Sequence, residues 1–144
     1  MDAYFDSAII VKLYVQEANS TEAIHLVSAQ TAPYALTSWQ ALEVRNAIRL
    51  KAFRSEISPT QMTQSIAALE QDIGAGRWVR PGHTVAAVEQ KAEELSASHA
   101  ATFGCRTLDI IHVAAAQIIG AKEFLTFDRR QAALARAAGL SVKP

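Results

Sequence analysis

The sequence predicts a three-layer α/β domain with a short, mainly parallel central sheet flanked by helices. Short apolar segments alternate with segments of helical periodicity along the whole chain. Half of the 144 residues are apolar, which is enough to form one core without a disulfide or a structural metal. No repeat, linker or low-complexity segment interrupts this alternation. We therefore expect a single domain over residues 1–144.

Composition restricts the possible functions. Fourteen basic and fourteen acidic side chains cancel, so a nucleic-acid partner would have to be bound by local rather than net charge. The single cysteine, Cys105, excludes an internal disulfide. The first residues include no basic leader, and no apolar run approaches the length of a membrane span. These features predict a cytoplasmic protein with no membrane partner.

The first elements are a strand and a helix. Residues 3–5 form a short apolar run that ends in Asp6 and Ser7, and apolar residues then recur at helical spacing. Asp6 either caps this helix or contributes a carboxylate to a site. A second helix is predicted to begin at a capping box over residues 19–22 and to end near Gln30.

A second strand over residues 34–37 is followed by a helix that we expect to begin at a Ser38 cap and to end near Phe53. Glu43 lies inside this helix on the face of Trp39 and Leu50. Two interpretations of Glu43 remain open, because it could belong to a site or reach water at the margin of the apolar stripe.

In the middle of the chain, Ser58 and Pro59 predict a helix start, and this helix should end at Gly74 or Gly76. A third strand is predicted at residues 78–79. An alanine- and glutamate-rich helix should follow over residues 85–98.

The segment from 106 to 130 organises the chain. A helix over residues 108–119 is apolar on several faces except at Asp109, His112 and Gln117, and Gly120 should end it. The fourth strand, over residues 124–127, delivers Asp128 at its carboxyl end. The last helix is predicted over residues 130–138, and residues 140–142 should form an edge strand.

Four acids occupy related positions in this pattern. Ends of parallel strands and starts of the following helices lie at one edge of a sheet, so we expect the four to converge. Grouped carboxylates repel one another unless protons or a cation neutralise them, and hard divalent cations prefer oxygen ligands. A magnesium site of this kind is typical of phosphodiesterases. The acids are Asp6, Glu43, Asp109 and Asp128.

Basic residues cluster in two places. Arg45, Arg49, Lys51 and Arg54 fall within ten residues that contain no acid, and Arg129 and Arg130 follow Asp128. We expect Arg45, Arg49, Arg129 and Arg130 to contact substrate phosphates. The alternative interpretation is a solvated helix face.

Four motifs resemble those of PIN-domain ribonucleases, especially the VapC-type toxins of bacterial toxin–antitoxin pairs. They are Tyr-Phe-Asp-Ser, Leu-Glu-Val-Arg, Leu-Asp-Ile-Ile-His-Val-Ala-Ala-Ala and Phe-Leu-Thr-Phe-Asp-Arg-Arg. The resemblance spans nearly the whole chain.

By this resemblance, the four acids match the family's catalytic and metal-binding positions, and Ser7 and Thr126 match polar residues beside them. The family implies a PIN-like fold and cleavage of RNA, often transfer RNA, with Mg²⁺ or Mn²⁺. It also implies a homodimer that a small antitoxin inhibits. The chain departs from the family pattern at Phe127, where many members have asparagine, and at Ala8, which replaces a hydroxyl residue. Neither departure removes a carboxylate.

Two other functions remain open. A phosphoaspartyl domain would also place an acid after the first strand, although the usual second acid is replaced by Ala8. An inactive α/β binding module would keep its acids only for capping and solubility. His112, three residues after Asp109, is expected to be a hydrogen-bonded core histidine, with a role at the site as the alternative.

Overall fold

The computed structural model describes residues 1–144. The strands are β1 (Ala3–Phe5), β2 (Tyr34–Ala35), β3 (Trp78–Val79), β4 (Glu123–Leu125) and β5 (Ser141–Lys143). The helices are α1 (Ser7–Tyr14), α2 (Ser20–Ser28), α3 (Ser38–Phe53), α4 (Pro59–Gly74), α5 (Val85–Leu95), α6 (Ala101–Phe103), α7 (Thr107–Ile119) and α8 (Arg129–Ala137). A π-helical turn, Ser96–Ala100, joins α5 to α6. The predicted fold class is confirmed: short parallel strands are combined with flanking helices in a mixed α/β arrangement.

The chain forms two compact units. We call Met1–Asp6 together with Pro81–Pro144 the terminal unit, and Ser7–Arg80 the internal unit. The terminal unit contains a three-stranded parallel sheet in the order β1-β4-β5, so the predicted C-terminal edge strand is confirmed. Strands β2 and β3 form a separate parallel pair in the internal unit.

The sheet of the terminal unit is covered by helices. Tyr4, Phe5, Phe124 and Leu125 are fully buried, as expected for parallel strands that are covered on both faces. Helix α7 contacts both α5 and α8. Its buried Ala114–Ala116 segment has small side chains that allow close approach. Gly120 ends α7 in the left-handed conformation, as the sequence predicted.

Helix α1 is central to the internal unit and contacts α2, α3 and α4. The predicted start of α4 is confirmed, with Ser58 as cap and Gln61 completing a capping box. The start of α3 differs by one residue, because Thr37 accepts the amide of Gln40 and is the cap instead of Ser38. Thr37 and Ser38 both have a hydroxyl that could cap a helix. The backbone of Thr37 is extended and Ser38 is already helical, so Thr37 is the cap.

The expected capping box at the start of α2 is wrong. Asn19 has a left-handed backbone with φ 66°, and its side chain makes no cap hydrogen bond. The neighbouring Ser20 hydroxyl instead donates to the carbonyl of Val15 and accepts the amide of Glu17. The hydroxyl next to the expected cap therefore stabilises the turn before α2, and the Asn19 side chain does not cap the helix. None of the helices has the length and apolar character that would allow it to cross a membrane.

Candidate functional site

Asp6 and Thr126 meet at the carboxyl ends of β1 and β4. Phe5 lies opposite Leu125 in the parallel register. The residues that follow them, Asp6 and Thr126, are therefore neighbours just beyond the end of the sheet. The Asp6 amide donates to the Leu125 carbonyl at 2.9 Å. The Thr126 hydroxyl lies 3.0 Å from Asp6 Oδ2 and donates to it. Strand pairing thus fixes one oxygen of the first acid.

Thr126 also anchors the start of α8. Its Oγ1 accepts the Asp128 amide at 3.0 Å and lies 2.9 Å from Oε1 of Gln131, whose side chain is buried. A hydroxyl has one proton and two lone pairs. When Thr126 donates that proton to Asp6, the Gln131 side-chain amide can turn so that its NH₂ donates to Oγ1. Oγ1 then accepts two hydrogen bonds, from the Gln131 side chain and from the Asp128 amide. One hydroxyl then joins Asp6, Asp128 and α8.

Asp128 caps α8 with one oxygen and keeps the other available. Its Oδ1 accepts the amides of Arg130 at 2.8 Å and Gln131 at 3.0 Å. The side chain is exposed, and Oδ2 accepts no hydrogen bond from the protein. The predicted position of Asp128 beyond the fourth strand is therefore confirmed, and the protein uses one of its two carboxylate oxygens.

Asp109 is held in a similar way in the first turn of α7. Its Oδ2 accepts the Arg106 amide at 3.2 Å, and the side chain is half-buried. Asp109 and Asp128 line one open cavity of about 320 Å³. The other lining residues are Arg106, Arg129 and Arg130. The structure thus brings two of the predicted acids together with the two predicted arginines that follow Asp128.

Charges in this cavity are close but not paired. None of its three arginines forms an ion pair with a carboxylate within 4.0 Å. Cys105 lies nearby, with its thiol 4.0 Å from the Arg130 carbonyl. Burial and then the negative charges of Asp109 and Asp128 raise the pKa of this thiol, while Arg130 acts in the opposite direction. The two acids therefore act on the thiol in the same direction as its burial.

Glu43 and Ser7 form a pair within the internal unit. The Ser7 hydroxyl is buried and donates to Glu43 Oε2 at 2.7 Å. Glu43 is half-buried on α3. Two of the residues that the sequence singled out in this unit, Ser7 and Glu43, are therefore hydrogen-bonded to each other.

The basic residues of α3 have partners that the sequence pattern did not reveal. Arg45 Nε lies 2.6 Å from Glu70 Oε1, and Lys51 bridges Glu17 and Glu56. These acids come from segments outside the basic run. Arg49 is exposed and makes no ion pair. Of the two predicted phosphate contacts on α3, one is already bonded to an acid.

His112 is confirmed as a hydrogen-bonded core histidine. It is buried on α7, and its Nδ1 lies 2.8 Å from the Tyr4 hydroxyl. Gln131 was missed, although a sequence signal existed: it stands three residues after the Asp128 cap, where capping boxes place glutamine or glutamate. Arg106 was also missed, because no pattern pointed to a charged residue before α7.

The acids that share the cavity fit a hard divalent cation. Asp109 Oδ1 and Asp128 Oδ2 are not used by the protein, and Mg²⁺ is typically held by one or two carboxylates while waters and phosphates complete its shell. No group of three or more His, Cys, Asp or Glu side chains is arranged to hold a metal. Asp109 and Asp128 are the two acids that would contribute carboxylate ligands to an ion in this cavity.

Comparison of the chain with known protein families finds no family whose model matches, and a comparison with curated proteins finds no similar one.

Proposed function

We propose that this protein is a metal-dependent endoribonuclease that uses Asp6, Glu43, Asp109 and Asp128. One observation carries the proposal: two carboxylates with uncommitted oxygens share a cavity with three arginines that form no ion pair. Side chains of opposite charge that remain unpaired at short range are suited to ligands of both signs. A cation would bind the carboxylates, and a phosphate would bind the arginines.

The charge pattern favours a phosphodiester substrate over a neutral one. Arg106, Arg129 and Arg130 can attract a polyanion to a protein whose net charge is zero. The carboxylates alone would repel the same polyanion. When bound, a divalent cation reverses that repulsion, polarises the phosphate and lowers the pKa of a bound water.

The remaining residues hold the acids in place. Thr126 fixes one oxygen of Asp6, and the α8 amides fix one oxygen of Asp128. Such preorganisation limits the motion of the ligands before the substrate arrives. Glu43 enters the proposal because it accepts a hydrogen bond from Ser7, the residue that follows Asp6 in the chain.

The biological role rests on the four-motif resemblance. By that resemblance the protein is the cytoplasmic toxin of a type II toxin–antitoxin pair and acts on RNA, with transfer RNA as one candidate. A homodimer and a small antitoxin partner belong to the same proposal. Co-expression with the product of the adjacent reading frame tests it. Stable co-purification together with loss of RNA cleavage supports the toxin role.

RNA cleavage with Mg²⁺ or Mn²⁺ tests the proposed activity. Asp6→Asn should abolish cleavage, because the amide can still accept from Thr126 but lacks the charge that a hard cation requires. Asp2→Asn is the matched control. Asp2 is an exposed acid near the same strand, and it forms only a solvent-exposed ion pair with Lys122. Cleavage by folded Asp6→Asn at the rate of the control would refute the nuclease. Transfer of radiolabel from a phosphodonor onto Asp6 would instead support the phosphoaspartyl alternative.

A further inference from the structure

A second cavity of about 400 Å³ lies next to the first in the terminal unit. Asp128 and Arg129 line both cavities. The second cavity also contains Phe127, Arg136 and Val142. Its volume falls within the range of small-molecule sites, roughly 300–1,000 Å³. A ligand bound here would contact the same carboxylate that borders the first cavity.

The lining of this cavity combines an aromatic ring with two cations. Phe127 is only half-buried, although the three residues before it, 124–126, are buried. Arg129 and Arg136 are exposed and form no ion pair within 4.0 Å. Aromatic rings stack on nucleobases of any sequence, and arginines bind the adjoining phosphates. Among the residues that line this cavity, Asp128 has the one acidic side chain, and Arg129 and Arg136 have basic ones.

We propose that the second cavity binds one nucleotide of a single-stranded RNA, with its base against Phe127 and its phosphates at Arg129 and Arg136. This inference rests on the proposed function, and it identifies the substrate as unpaired RNA, because a base within a duplex cannot reach the ring. A neighbouring nucleotide of the same RNA would place its phosphate in the adjacent Asp109–Asp128 cavity. The base that stacks on Phe127 thereby determines which phosphate of the RNA lies in the Asp109–Asp128 cavity.

Binding can be measured without cleavage, which separates this inference from the nuclease proposal. The probe is a short fluorescein-labelled single-stranded RNA in EDTA, followed by fluorescence anisotropy. Phe127→Leu keeps an apolar side chain but removes the ring, so it should weaken binding by roughly five- to a hundredfold. Phe127→Tyr keeps the ring and should bind like the parent. Phe53→Leu is the control, because Phe53 is an 86% exposed aromatic residue in the internal unit.

A scan with single abasic nucleotides identifies the stacked base. At one position, removal of the base should weaken parent binding as much as Phe127→Leu does, and the two changes together should cost no more than either alone. Arg136→Gln should reduce the salt slope of binding by about 0.7, whereas Arg54→Gln should leave it unchanged.

Parent-like affinity of folded Phe127→Leu, or additive losses at every abasic position, would overturn the subsite. Loss of cleavage in Asp6→Asn alongside that result would leave the nuclease proposal intact. Conversely, if Asp6→Asn cleaves normally while the Phe127 coupling is observed, the RNA subsite stands and the proposed metal-dependent mechanism through Asp6 is refuted.

Discussion

Several charged side chains of the internal unit form ion pairs, whereas those that line the Asp109–Asp128 cavity of the terminal unit form none. Glu17 accepts from Lys12 at 2.9 Å and also pairs with Lys51. In the cavity, acids and arginines share one space of about 320 Å³ without an ion pair. Paired charges stabilise a fold and resist ligands, while opposite charges kept apart are open to ligands of either sign. On the proposed function, this contrast separates charged groups that stabilise the fold from charged groups that would bind a metal ion and a phosphate.

The pKa shifts follow the same division. Burial alone would raise the pKa of Glu17, but hydrogen bonds and charges from Lys51 and Lys12 outweigh it and hold that pKa below its usual range. The hydrogen bond to Glu17 raises the pKa of Lys51, so the two partners agree. Both groups are stabilised in their charged forms. Near the cavity, burial is the main reason for the raised pKa of Cys105; the charges of Asp109 and Asp128 add to it, and that of Arg130 opposes it.

The largest expected effect comes from Asp128, which caps α8 and, in the proposed function, also binds the metal ion. Asp128→Asn should keep the α8 cap, because asparagine caps as well as aspartate, yet it should reduce metal-dependent RNA cleavage by about a hundredfold or more. Asp128→Ala should lose cleavage and also about 1 kcal/mol of unfolding free energy. Cleavage assays and urea melts distinguish the two variants. If Asp128→Asn is as unstable as Asp128→Ala but still active, the carboxylate serves only the helix.

In the internal unit, removal of the Tyr14 hydroxyl measures how much a hydrogen-bonded polar group contributes to the free energy of unfolding. It donates to Asp72 at 2.6 Å and accepts from Trp78 Nε1 at 2.6 Å. Burial and the bond to Asp72 raise the pKa of Tyr14 well above the usual tyrosine value. Tyr14→Phe leaves both partners without this hydroxyl and should cost about 2 kcal/mol of unfolding free energy in urea melts.

Tyr34→Phe is the matched comparison for Tyr14→Phe. The Tyr34 hydroxyl donates to the neutral carbonyl of Val27 at 3.2 Å, so its loss should cost about 1 kcal/mol. Equal losses in the two variants would mean that the charged partner Asp72 adds nothing.

Acid unfolding tests the Glu17 pairs. Because the folded pKa is lowered, their stabilisation is fully present above the unfolded pKa of about 4.3 and is lost as pH falls through the folded value. Glu17→Gln should cost about 1 kcal/mol at pH 7 and almost nothing below the folded pKa. Stability curves of parent and variant should therefore converge in acid. Parallel curves over the whole range would show that the pairs are too solvated to matter.

The smallest effect distinguishes a paired from an unpaired arginine. Arg45 is bonded to Glu70, whereas Arg130 has no acidic partner. Arg130→Gln should lower the salt slope of RNA binding by about 0.7, and Arg45→Gln should leave it unchanged. Anisotropy titrations over a range of salt concentrations give both slopes. The reverse result would place the RNA on α3.

Much of the secondary structure could be predicted because its signals are local. The strand at residues 3–5, the Ser58 cap and the Gly120 stop are each specified by a few neighbouring residues, and all three are confirmed. Helix ends were less certain, as the predicted end of α2 near Gln30 and its observed end at Ser28 illustrate. The backbone conformation of a single residue decides such ends, and side-chain type does not determine it.

The sequence by itself determined which acids follow strands and open helices, and hence that Asp6, Asp109 and Asp128 were candidates. Only the tertiary structure decided which oxygen of each acid the protein uses, because Thr126 reaches Asp6 through the register of β1 and β4. The tertiary structure also decided that Arg45 pairs with Glu70, while Arg129 and Arg130 share a cavity with two acids and form no ion pair. Periodicity along a chain fixes the direction of a side chain on its own element. Charge pairing depends on distances between elements, and those distances exist only after packing.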